Sequence, residues 1–417
     1  MNSALSDLKV IDVGHYIAGP YCASLLAGLG AEVIKVERPG TGDGSRQLGP
    51  FPGDTPHPEK SGLFTYLNLG KKGITLNLKS SMGRDIFLKL VGASDILIEN
   101  YEPRVMPSLK LNYEELRKIN PRLVMVSISN YGQTGPYRDY KGFEITINAL
   151  GGIQYEIGDP DREPLKLGGE QMQFQAGLVG AFAAMSAIWY RDLTGLGQQI
   201  DLSIAEIAAI MKGAPSTYFQ FSGVKRMRNG TRPMRDGRPG EPFIKSRDPG
   251  NLYPIAILPC KDGYVCVDTE AEPQWQSLCE MIGKPELKED ARFRRGHRGE
   301  HADEVDAIIS EWLNDKTQRE VFEECTAWRI PVGIVNNMET LFNDPQHRER
   351  GFFSTSNHPE LGSVEYPGHL FLMSETPWHY QSPAPLLGEH NREIIIKQLG
   401  YSETELSRAL SEGAVQP

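Results

Sequence analysis

The first 130 residues switch repeatedly between two patterns of apolar and polar positions. Leu8-Lys-Val-Ile-Asp-Val13 is a short apolar run closed by Gly14, and it predicts a buried strand. Residues 19–29 carry apolar positions at helical spacing among small residues, and Val33-Ile-Lys-Val36 follows as a second strand. Strand, helix and strand within so few residues make a βαβ unit, which implies a parallel sheet covered on both faces. The pattern recurs as a strand over 73–78, a helix over 81–91 capped by Ser80 or Ser81, and a strand over 96–99. A helix over 113–119 and a strand over 123–128 come next. The expected class is α/β with a doubly wound, Rossmann-like parallel sheet, whose ligands sit beyond the carboxyl ends of the strands.

Beyond this, the pattern predicts a helix from about 171 to 191, a strand over 199–202 and a helix from Ile204. From about 221 to 250 the chain is rich in Gly, Pro and Arg (Arg226, Arg228, Arg232, Arg235, Arg238, Arg247), which reads as a linker or a wrapped loop. Residues 253–269 give two strands around the Lys261-Asp-Gly263 turn, and helical segments run on to about Ala327. The expected organisation is a large domain over 1–220, a linker over 221–250 and a small α+β domain over 251–330. The strand Pro331-Val-Gly-Ile-Val335 is expected to rejoin the large domain, which 331–417 completes.

The 417 residues suffice for two cores, and 39% hydrophobic with 24% charged residues is ordinary for a soluble globular protein. A net charge of −10 argues against nucleic acid and anionic membranes as partners. No apolar window reaches membrane-spanning length, and Met1-Asn-Ser-Ala-Leu-Ser-Asp7 lacks the features of a signal peptide. The five cysteines show no CxxC, so buried thiols in a cytoplasmic protein are expected. His297-Arg-Gly-Glu-His301 has a spacing that suits a metal on a helix, but its charged, Gly-containing setting offers no third ligand, and no metal site is expected.

Four polar loops adjoin the apolar runs: Val36-Glu-Arg-Pro-Gly-Thr-Gly-Asp43, Leu69-Gly-Lys-Lys72, Ile98-Glu-Asn-Tyr-Glu-Pro-Arg104, and Asn130-Tyr-Gly-Gln-Thr-Gly-Pro136 with Asp139-Tyr-Lys-Gly-Phe-Glu144. Any one alone is an ordinary turn. Together with Gly14-His-Tyr-Ile-Ala-Gly-Pro20, Pro164-Leu-Lys-Leu-Gly-Gly-Glu-Gln-Met-Gln-Phe-Gln-Ala-Gly177 and Thr194-Gly-Leu-Gly-Gln-Gln-Ile-Asp-Leu-Ser203, their order resembles that of the family III CoA-transferases, the formyl-CoA and carnitine CoA-transferase group. The likeness covers nearly the whole chain and is closest over 8–197.

The resemblance implies coenzyme A or an acyl-CoA as substrate. By it, Arg38, Lys71 or Lys72, Asn100, Arg104 and Lys141 would contact the nucleotide and its phosphates, and Tyr101 and Met106 would flank the adenine. Ile17 stands where formyl-CoA transferase has a glutamine near the thioester. In the family a glycine is followed five residues later by the aspartate that attacks the thioester. Counting from Gly168 reaches Gln173, with Ala176-Gly177 in the expected places. A carboxamide is neutral and its nitrogen lone pair is delocalised, so it forms no anhydride. Glu170, three residues earlier, and Glu144 are the weak substitutes. The segment Phe243-Ile-Lys-Ser-Arg-Asp248 lacks the glycine run of formyl-CoA transferase, and Phe143 stands where the related racemases carry a proton-shuttling histidine.

Three readings follow. The chain is the non-catalytic subunit of a heteromeric enzyme, as in two-subunit members of the benzylsuccinate CoA-transferase type. Its partner is then a paralogue carrying the aspartate, in the family's interlocked dimer. Alternatively it is a homodimeric enzyme using Glu170 or Glu144, or a CoA-thioester binding protein without turnover. The Arg-rich linker suits a dicarboxylate such as succinate, and solvated arginines explain it equally well.

Overall fold

Six strands, β1 (Lys9–Asp12), β2 (Glu32–Glu37), β3 (Lys71–Thr75), β4 (Ile96–Glu99), β5 (Val124–Ser129) and β6 (Gln199–Ser203), form one sheet in the order β3-β2-β1-β4-β5-β6. Every neighbouring pair is parallel; Val10, for example, lies opposite Val33 on one side and Ile96 on the other. The computed structural model describes residues 3–211, 213–223, 225, 227–232, 253–269 and 271–416. These fall into two compact units, Met1–Gly151 with Gly168–Ile210 and Pro345–Pro417, and Gly152–Leu167 with Met211–Asp344.

The helices of the first unit are α1 (Ala18–Gly28), α2 (Gly62–Leu67), α3 (Ser81–Gly92), α4 (Val105–Ser108), α5 (Tyr113–Ile119), α6 (Glu144–Leu150), α7 (Gln171–Thr194) and α8 (Ile204–Ile210). On one face of the sheet, Ile86, Phe87, Leu90 and Val91 of α3 and Leu116 of α5 pack on Ile11, Leu97 and Met125. The tail closes this core with Ile394, Ile395 and Leu406. Ser80 caps α3, its hydroxyl accepting from the Gly83 N–H. On α7, Gly180 packs near Ile128 and the Cys22 sulfur of α1, and a Cβ at Gly177 would stand 2.8 Å from the Ala18 carbonyl. Small residues thus let α1 and α7 approach backbone to backbone, which fixes the first turn of α7 relative to the loop that precedes α1.

Strand β3 begins two residues earlier than the pattern suggested, so Lys71 and Lys72 lie within it rather than before it. A hairpin not read from the sequence, β10 (Phe353–His358) and β11 (Gly362–Pro367), also belongs to this unit, with Tyr366 stacked at 6.3 Å on Tyr66.

The second unit holds an antiparallel sheet of β7 (Ile255–Cys260), β8 (Gly263–Asp268) and β9 (Val332–Ile334), with helices α9 (Gly213–Ser222), α10 (Glu272–Met281), α11 (Ala302–Leu313) and α12 (Gln318–Ala327). Its core gathers Trp275, Leu278, Val305, Ile309 and Val321. The strand at 332–334 does not rejoin the large sheet: Val332 pairs with Val267 and Ile334 with Val265. Alternating apolar residues match across these two strands, and that match decides the partner. Of the Arg-rich stretch, Arg226, Arg235, Arg238 and Arg247 lie outside the described residues, as do 243–248.

Candidate active site

The strand order reverses direction between β1 and β4, and ligands of doubly wound sheets bind at such a point. The two loops that leave it are tied together by Asn100. Its Oδ1 accepts from the His15 N–H at 2.7 Å and its Nδ2 donates to the His15 carbonyl at 2.8 Å. Asn100, Tyr101, Ser129, Arg138, Tyr140 and Gln173 help to line a cavity of about 90 Å³. The structure thereby brings the residue at the nucleophile position to the carboxyl edge of the sheet. Gln173 lies half-buried in the first turn of α7, where backbone N–H groups and the helix dipole favour negative charge. Its carboxamide makes no hydrogen bond to any described residue. The Ser129 hydroxyl on the same wall is buried and likewise finds no partner among the described residues.

Neither substitute carboxylate lines this cavity. Glu170 is the exposed N-cap of α7, without a side-chain capping bond. Glu144 is buried at the start of α6, and its Oε1 accepts from the Met172 N–H and from Asn148 Nδ2, each at 2.9 Å. It pins the backbone one residue before Gln173.

The residues assigned to the coenzyme divide into two groups. Arg38 is exposed after β2 and pairs with no described residue, while Arg104 and Lys141 are exposed and share the Glu102 carboxylate. Exposed pairs of this kind are weak, so all three cations are available to phosphates. Tyr101 lines the cavity, with its ring 5.4 Å from that of His15, and Ile17 is buried just before α1.

Lys71 and Met106 are placed differently from the expectation. Lys71 is fully buried, and its three N–H donors are taken at 2.8 Å by Asp12, Asn68 and the Pro20 carbonyl, leaving none for a phosphate. Met106 is 3% exposed and belongs to the hydrophobic core, because α4 turns it inward. Lys72 is half-exposed and bonded to Glu32 and Glu393.

Beneath the loops lies an ionic cluster that the sequence reading missed. Lys35, Asp12, Asp43, Lys71 and Arg46 are 0% exposed and Glu37 is 1% exposed. Lys35 donates to Asp43 at 2.7 Å and lies 3.5 Å from Asp12, while Arg46 forms a two-pronged pair with Glu37 at 2.7 and 2.8 Å. Burial raises the Asp43 carboxyl, but Lys35, His15 and a backbone hydrogen bond from Ser45 outweigh it and hold it at about 2. The one sequence clue was a lysine inside the apolar run Val33-Ile-Lys-Val36, since a buried cation requires partners.

Glu99, at the carboxyl end of β4, is pushed up to about 7 by burial, against hydrogen bonds from Ser127 and the Tyr101 N–H. Below an ordinary carboxyl value of 4.5 both folded and unfolded chains are protonated here. Between 4.5 and about 7 only the folded chain keeps the proton, so this group's contribution to stability falls as pH rises and is fully unfavourable above 7. Glu99→Gln is therefore expected to gain about 3 kcal/mol over wild type at pH 8 relative to pH 4. Urea unfolding midpoints at the two pH values check it; an equal difference at both would show that Glu99 titrates normally.

The chain matches the model of CoA-transferase family III over residues 5–391. It is 33% identical over 406 residues to a succinyl-CoA–D-citramalate CoA-transferase of Chloroflexus aurantiacus, spanning 97% of this chain and 96% of that one. Identity is also 33% over 417 residues to a succinyl-CoA–L-malate CoA-transferase alpha subunit of Chloroflexus aurantiacus, with 98% and 91% covered. A crystal structure of a CAIB/BAIF family protein from Brucella suis superposes with a TM-score of 0.83 at 29% identity, covering 96% of this chain and 100% of that one. The chain belongs to the family III CoA-transferases. CoA transfer is the activity of that class, and CoA thioesters are its substrates.

Proposed function

We propose that this chain is the non-catalytic subunit of a heteromeric family III CoA-transferase, whose paralogous partner carries the nucleophilic aspartate in an interlocked dimer. The observation that carries the proposal is Gln173: a neutral carboxamide occupies the first turn of α7 on the cavity wall. It can donate a hydrogen bond to a thioester carbonyl but cannot attack it. Using Glu170 or Glu144 instead would require a carboxylate on that wall, and neither lines it. A relative named as an alpha subunit lends the heteromer support. So does the outer face of α7, where Phe182, Trp189 and Leu193 stand 75%, 72% and 71% exposed at helical spacing. The names of the relatives favour succinyl-CoA as donor and a carboxylate as acceptor. The reading includes a cytoplasmic location; no helix among the described residues is long and apolar enough to cross a membrane.

Isolation from the native source without denaturation, followed by identification of every polypeptide, tests the proposal. A stoichiometric paralogue with Asp at the position matching Gln173 is the expected result, with turnover only by the pair. A homo-oligomer that turns over unaided would overturn it.

A further inference from the structure

The chain closes tightly on itself at one end of the β10–β11 hairpin. After the short helix Pro345–Glu349, Gly351 takes a φ of 62° and the Phe352 N–H donates back to the His347 carbonyl at 3.0 Å. Across the hairpin the Gly368 N–H donates to the Phe352 carbonyl at 2.7 Å, and a Cβ at Gly368 would stand 2.4 Å from the Ser354 hydroxyl. Glycine at both places permits this approach. Two imidazoles are thereby brought against one ring: His347 and His369 lie 5.4 and 6.1 Å from Phe352, centroid to centroid.

These three residues, with Gln346, Arg350 and Leu370, line a cavity of about 380 Å³ that shares no residue with the cavity of Gln173. Its polar wall has one character. Gln346, His347, Arg350 and His369 can all donate a hydrogen bond, and no carboxylate among the described residues lines it. The two arginines of this stretch are placed differently. Arg348 forks onto Glu365 of β11 at 2.5 and 3.0 Å, which neutralises it. Arg350 is exposed on the cavity wall, and its guanidinium pairs with no described residue. The chain carries a net charge of −10, yet here a guanidinium and two imidazoles meet without an acid. Phe352 and Leu370 supply an apolar surface beside them.

We propose that this cavity is a binding site for a small organic carboxylate, separate from the site of Gln173. The guanidinium fork of Arg350 takes both carboxylate oxygens, a geometry that a planar carboxylate matches. The histidine and glutamine side chains add hydrogen bonds, and Phe352 and Leu370 pack along the carbon chain. A bare inorganic anion would leave that apolar wall unused. The assignment holds whichever subunit of a heteromer carries the nucleophile.

The test is saturation-transfer NMR of butyrate on the full chain in its native assembly, with saturating CoA present. Wild type is expected to bind butyrate under these conditions. Arg350→Gln is expected to bind it roughly tenfold more weakly with an unchanged Tm, and Arg350→Lys to fall between the two. Leu370→Ala, which leaves the charges in place, should weaken butyrate about threefold and leave acetate unaffected. Absence of binding in a folded wild type, displacement of butyrate by CoA, or equal affinity in wild type and Arg350→Gln overturns the site. Displacement by inorganic phosphate at equal concentration, or equal loss of butyrate and acetate in Leu370→Ala, overturns the choice of an organic carboxylate.

Discussion

Replacing Gln173 with Asp is expected to turn a chain that forms no covalent adduct into one that does. In the variant a carboxylate oxygen attacks the thioester carbonyl, the new C–O bond forms as the C–S bond breaks, and the electron pair leaves on the CoA sulfur. The surroundings suit this step. The side chain sits in the first turn of α7, which favours an anion there, and the Ser129 hydroxyl on the same wall is without a partner among the described residues. Glu144 fixes the Met172 N–H, so the backbone that presents the residue is already anchored. The release of CoA thiolate from an acyl-CoA should rise on the order of 10³-fold or more, because a nucleophile appears where none existed. Hydroxylamine trapping followed by mass spectrometry of the peptide spanning 173 reads the adduct directly. An adduct on unmodified wild type would sink the supporting-subunit reading. Absence of an adduct in a folded variant that still binds CoA would mean that the cavity has lost more than its carboxylate.

The parallel sheet was legible because strands covered on both faces read as nearly unbroken apolar runs, as in Val33-Ile-Lys-Val36 and 123–128. Strand β3 was placed late because it opens with two lysines, and a lysine at a strand end reads as solvated. Burial of Lys71 depends on Asp12, 59 residues away, and no local pattern encodes that pair. The same holds for Asn100 and His15, 85 residues apart. Spacing identified Gln173 because the chain counts residues along one helix start, whereas Ser129 joins the cavity only through the fold. Val332–Ile334 joins β8 instead of returning to the large domain, because its alternation fits any half-covered edge and only the matching valines of β8 select one.

Lys35→Met is expected to lower the unfolding free energy by about 3–5 kcal/mol at neutral pH, since it leaves the buried Asp43 carboxylate without its lysine partner. Lys35 is the hub of the cluster, lying 2.7 Å from Asp43 and 3.5 Å from Asp12 and donating to the Gly14 carbonyl. Lys71 still serves Asp12 in the variant, but Asp43 keeps only His15 at 3.9 Å and hydrogen bonds from the Tyr16 and Ser45 N–H groups and the Ser45 hydroxyl. The sign of the acid limb follows from the depressed carboxyl. In wild type Asp43 contributes stability above its ordinary value of 3.8, and the contribution is lost as pH falls through about 2. Without Lys35 its folded value rises, so the carboxyl is neutral by pH 3 and the burial penalty disappears there. The difference between variant and wild type should therefore narrow between pH 7 and pH 3, and Lys35→Met with Asp43→Asn should recover part of the loss at pH 7. Urea unfolding of the three proteins at both pH values measures it. A difference that is small and independent of pH would show that the cluster is hydrated and that Asp43 does not depend on Lys35. The loop over 14–16 should loosen with the same substitution, because the Gly14 carbonyl loses its bond from Lys35 and Asp43, which accepts from the Tyr16 N–H, loses its lysine partner.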